Sequence, residues 1–95
     1  MNPDALADAS RALWLATLSL MTAFMHTVAP AQRYLLAKRI ARNFRTLVEQ
    51  PCFTARDRDR FAQLAERWEV KADRLSPHEV APTSGWRLLE RLFPH

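Results

Sequence analysis

The sequence has one glycine and one cysteine in 95 residues. A single glycine excludes glycine-rich phosphate loops and disfavours the tight turns of β-hairpins. A single cysteine excludes an internal disulfide framework, and a lone free thiol suits a reducing compartment, so we expect a cytoplasmic protein. The hydrophobic fraction of 48% and the charged fraction of 25% are those of an ordinary globular domain. The length then predicts one domain with one modest core.

Three segments carry the apolar spacing and the boundary residues of α-helices, and no segment carries a strand signal. Asn2 followed by Pro3 is a typical helix start, because Asn caps unpaired N–H groups and Pro fits the first turn. Thr54 and Asp57 have the spacing of a capping box. We predict helices over about 3–26, 30–50 and 54–75, forming an all-α antiparallel three-helix bundle over residues 1–75.

Residues 76–95 have a different composition from the predicted bundle. The stretch 76–85 has the prolines and small polar residues of a linker. The residues after it place Trp86, Leu89 and Phe93 roughly on one side of a helix. We therefore predict a linker that leads to a short C-terminal amphipathic helix over about 86–93.

The first predicted helix has an apolar arc of roughly 180°, wider than the about 100° that an ordinary surface helix presents. Three helices need less apolar surface than this arc and the C-terminal segment provide together. The excess predicts association with a second copy or with another protein. The candidate interface residues are Trp14, Leu18, Met21, Met25, Trp86, Leu89 and Phe93.

The segment from Ala12 to Ala31 carries no formal charge and is long enough to cross a bilayer. Its end, Ala29-Pro30-Ala31, also has the small residues of a signal-peptidase site. A polar strip along the helix favours instead the half-buried helix of a soluble domain, and we do not expect a membrane protein. The strip includes Ser19, Thr22 and His26.

The net charge of +4 lies wholly in the segment from Arg33 to Glu49. A local basic surface predicts an anionic partner, which could be nucleic acid, a membrane surface or an acidic protein. The candidate contacts on the second helix are Lys38, Arg39, Arg42 and Arg45. The third helix sorts its charges by sign onto two flanks, and its acidic flank would neutralise part of that basic surface if the two helices pack together.

No pattern in the sequence indicates catalysis or a bound metal. The histidines lack metal-ligand spacing with one another and with Cys52, and there is no Glu-x-x-His motif of the di-iron bundles. We therefore predict a small non-enzymatic interaction module without cofactors that self-associates or binds an unidentified protein. The alternative is a nucleic-acid-associated protein that uses the basic face of the second helix.

Overall fold

The computed structural model of the chain describes residues 2–77, and these residues contain three α-helices and no strand. The helices are α1 (Pro3–His26), α2 (Pro30–Val48) and α3 (Ala55–Leu75). The all-α prediction is confirmed for this part of the chain. The predicted linker over 76–85 lies almost wholly outside the described residues, and so does the predicted short helix over 86–93 with Trp86, Leu89 and Phe93.

Side chains cap the start of two of the helices. Asn2 Oδ1 accepts a hydrogen bond of 2.7 Å from the Ala5 N–H at the start of α1. Thr54 Oγ1 accepts one of 3.1 Å from the Asp57 N–H at the start of α3. Each cap pairs a backbone donor that the first turn of a helix would otherwise leave without a partner.

α2 ends at Val48, two residues before the predicted boundary. The Glu49 and Gln50 N–H groups each bond to the carbonyl three residues earlier, which is the tighter pattern of a final helical turn. Pro51 has no N–H and cannot continue the α-helical ladder. The chain therefore leaves the helix just before the proline that marks the stop in the sequence.

The core lies mainly between α2 and α3, which pack against each other more extensively than α2 packs against α1. Apolar side chains at helical spacing on each helix meet there. Trp14 of α1 joins the two, with its ring centroid 5.9 Å from Phe44 and 5.2 Å from Phe61. The buried apolar residues are Phe24, Ala37, Ile40, Ala41, Phe44, Leu47, Phe61, Ala65, Trp68 and Ala72.

Polar contacts join α1 to α2 at both ends. Near the start of α1, Ser10 Oγ lies 3.2 Å from Oε1 of Gln50, just beyond the end of α2. Near the start of α2, Arg33 Nη1 donates to the Phe24 carbonyl at 3.0 Å and to the Thr27 carbonyl at 2.9 Å. The Arg33 guanidinium also lies 3.9 Å from the centroid of the Phe24 ring. This side chain therefore binds the last turn of α1 to α2.

Candidate functional site

The candidate apolar residues of α1 divide into two pairs. Trp14 and Met21 are half-buried and pack against the core. Leu18 is 38% exposed and Met25 is 76% exposed, so this pair faces solvent. The structure therefore places two of the four α1 candidates against the core and leaves the other two at the surface.

A larger uncharged surface extends beyond these residues on the outward side of α1. Its exposed members between Arg11 and His26 carry no formal charge, and Leu15 is 63% exposed. We call this surface the outer face of α1. It consists of Ala12, Leu15, Ala16, Leu18, Ser19, Thr22, Ala23 and Met25. The sequence feature that indicated this surface was the uncharged segment from Ala12 to Ala31, which also has the length of a membrane-spanning helix.

The two hydroxyl groups on the outer face of α1 are bonded within the helix. Ser19 Oγ donates to the Leu15 carbonyl at 3.3 Å, and Thr22 Oγ1 donates to the Leu18 carbonyl at 3.2 Å. A hydroxyl that donates to its own helix needs no external acceptor. Burial of this face in an interface therefore costs less desolvation free energy than the burial of two unpaired hydroxyl groups would.

The candidate basic residues of α2 do not form one free surface. Arg45 holds Glu69 of α3 in a two-pronged ion pair, with Nε to Oε2 at 2.8 Å and Nη2 to Oε1 at 2.7 Å. That hydrogen bonding raises the pKa of the Arg45 guanidinium and lowers the pKa of the Glu69 carboxyl. Lys38 and Arg42 line the same groove between α2 and α3, where Asp73 also lies.

Arg39 lies apart from the other three candidate basic residues. It borders a shallow depression on the outside of α2 with Gln32, Leu35 and Leu36. Lys38 also has a contact within α2, since its Nζ lies 5.6 Å from the centroid of the Tyr34 ring. Glu69 and Asp73 of α3 thus lie toward the basic side chains of α2, and Arg45 is the one of the four candidates that a described ion pair includes.

A second group of exposed cations lies on the outward side of α3. Five exposed cations share this side, and no ion pair described within residues 2–77 includes any of them. We call this surface the basic row of α3. It consists of Arg56, Arg60, Arg67, Lys71 and Arg74. The sequence pattern already placed these five residues on one flank of the third helix. The prediction named α2 instead, because the net positive charge of the sequence lies in that segment.

Within residues 2–77 no three His, Cys, Asp or Glu side chains come together where a metal ion would fit. None of the helices α1 to α3 has both the length and the hydropathy that crossing a membrane requires. Cys52, in the turn between α2 and α3, is an exposed thiol.

Comparison of the chain with models of protein families, with curated proteins and with solved structures found no match.

Proposed function

We propose that the protein is a small non-enzymatic helical module that self-associates through the outer face of α1. The observation that carries the proposal is the uncharged, exposed stretch of α1 from Ala12 to Met25, on which Leu15, Leu18 and Met25 face solvent. Contiguous exposed apolar surface on a small protein is typical of an interaction site. Small side chains between these three allow a second helix to approach closely.

The proposal includes an antiparallel order of the three helices. Two sets of contacts support it: Ser10 near the start of α1 meets Gln50 after the end of α2, and Arg33 near the start of α2 meets the end of α1. Phe44 and Phe61, with ring centroids 6.0 Å apart, place the second half of α2 beside the first half of α3. In this order α1 contacts its neighbours on one side only, and its outer face is available.

A second copy is the occupant that we favour for this face. In a two-fold dimer both copies contribute the same patch, so each of the three large apolar side chains is buried twice, once in each copy. Full burial of such a side chain stabilises by about 1.5–3 kcal/mol, whereas association costs about 4–15 kcal/mol. Because the side chains are already partly covered, the gain over both copies is only about 5–11 kcal/mol, and we expect a weak dimer with a dissociation constant no tighter than about 10 μM.

The test is the mass of the full chain in solution, measured by light scattering after size exclusion over a range of concentrations. Leu15→Glu is the test variant and Leu35→Glu is its matched control, because both leucines are 63% exposed but only Leu15 lies on the outer face of α1. We expect the natural chain and the control to reach the mass of a dimer and the test variant to remain a monomer. A monomeric natural chain at high concentration, or an equal loss in both variants, would refute the proposal.

A further inference from the structure

The basic row of α3 is long, straight and exposed. Its residues follow one another at spacings of four, seven, four and three, which keep them on one side of a helix. At about 1.5 Å per residue, the row from Arg56 to Arg74 extends over roughly 27 Å. All five side chains are exposed. The row therefore presents a line of positive charge to solvent along almost the whole of α3.

The fold makes little use of this charge. The ion pairs described within residues 2–77 are Arg11 with Asp8 and Arg45 with Glu69, and neither involves the row. Lys71 is the member with described contacts, since its Nζ lies 5.8 Å from the centroid of the Phe24 ring and 5.9 Å from that of the Trp68 ring. Like charges three or four residues apart destabilise a helix, and the row contains several such neighbours. The row thus contains like-charged neighbours that no ion pair described within residues 2–77 offsets.

We propose that the basic row of α3 binds the phosphate backbone of duplex nucleic acid. A duplex carries one negative charge per about 1.7 Å of its axis, so a row of roughly 27 Å faces more phosphates than it has cations. Four of the five cations are arginines, whose planar guanidinium groups bind phosphate oxygens in pairs. Phosphate contacts position a protein without reading bases, and we expect binding without sequence preference.

The side chains on and around the row favour a duplex over other polyanions. Single-strand binding uses exposed aromatic rings on which bases stack, whereas Trp68, the tryptophan of α3, is buried in the core. A membrane surface favours large apolar side chains beside the charges, and Val70 is the apolar residue next to the row. A second copy that placed Asp59 and Glu66 on the row would match two of its five cations, whereas a duplex offers a phosphate to each of them.

The experiment titrates the full chain into a fluorescently labelled duplex of mixed sequence, about 20 base pairs long, and follows the anisotropy. At about 50 mM salt we expect binding, with a slope of about −4 when the logarithm of the association constant is plotted against that of the salt concentration. The test variant carries Arg60→Gln, Arg67→Gln and Arg74→Gln. The control carries Lys38→Gln, Arg39→Gln and Arg42→Gln, which remove the same charge from α2.

We expect the α3 variant to bind at least about 10-fold more weakly and to flatten the salt slope by nearly 3, since three phosphate contacts are lost. The α2 control should keep the affinity within about 3-fold, and circular dichroism should show the same helicity for all three proteins. No binding of the natural chain at low salt, or equal losses in the two variants, would overturn the proposal. Tighter binding to a single strand, or binding only to vesicles of anionic lipid, would overturn it as well.

Discussion

Arg33 is the side chain that fastens the end of α1 to the start of α2, and Arg33→Ala tests that contact. The change removes two hydrogen bonds to carbonyls of the last turn of α1 and the contact with the Phe24 ring. A hydrogen bond from a charged donor stabilises by about 1.5–3 kcal/mol and an exposed cation–π contact by about 0.5–1 kcal/mol. Water can bond the carbonyls once Arg33 is gone, so we expect a net loss of about 2 kcal/mol.

The loss is measured as a shift of the thermal midpoint, followed by circular dichroism. For a domain of this size about 1 kcal/mol corresponds to roughly 4–8 °C, so the expected fall is about 8–16 °C. Arg39→Ala is the control, because Arg39 is exposed and the same residue type is removed from the same helix. Arg33→Lys should lie between the two, since it keeps the charge at the end of α1 but loses the forked geometry. A fall no larger for Arg33→Ala than for Arg39→Ala would refute the reasoning.

Three further substitutions test the core, a surface ion pair and a buried hydroxyl. Phe44→Ala should destabilise by about 3–5 kcal/mol in urea denaturation, because Phe44 is fully buried against Trp14 and Phe61. Glu69→Gln should lower the thermal midpoint slightly at neutral pH. Because Arg45 lowers the pKa of folded Glu69, that difference should disappear as the pH falls below the usual pKa of 4.5. Thr17→Val should change stability by less than about 1 kcal/mol, because the Leu13 carbonyl to which its hydroxyl donates keeps its backbone donor.

Each of these expectations can fail in a distinct way. A small loss in Phe44→Ala would mean that the aromatic cluster does not hold the core together. A difference between Glu69 and its Gln variant that grows in acid would reverse the sign of the linkage. A large loss in Thr17→Val would mean that the hydroxyl has a second acceptor.

The helices could be predicted from the sequence because their signals are local. Asn2 and Thr54 bond to N–H groups three residues ahead, and those caps are visible as residue types at fixed spacing. The end of α2 was predicted two residues late. Pro51 shows that the helix must end before residue 51, but it does not show how many residues before. Apolar periodicity, capping residues and prolines therefore located the three helices, and the backbone hydrogen bonds fixed the end of α2.

The candidate surfaces were harder to predict because they depend on which flanks meet. The sequence pattern showed a basic flank on α2 and both an acidic and a basic flank on α3. It did not show which of these charged side chains would form ion pairs with one another. The contact between Arg45 and Glu69 decides it, since it turns the acidic flank of α3 toward α2. Because Arg45 is paired and the basic row of α3 is exposed, we propose the third helix rather than the second as the surface that binds anions.

The two proposed surfaces rest on different forces, so salt should separate them. Apolar contacts through Leu15, Leu18 and Met25 do not weaken when ions screen charges, and removal of charge repulsion between two basic chains favours their association. Phosphate contacts through the basic row weaken as salt competes for the duplex. Raising the salt from about 50 to about 500 mM should therefore release the duplex and leave the dimer intact, as measured by anisotropy and light scattering on the same sample. A dimer that dissociates together with the duplex would mean that charge, rather than the outer face of α1, holds the two copies together.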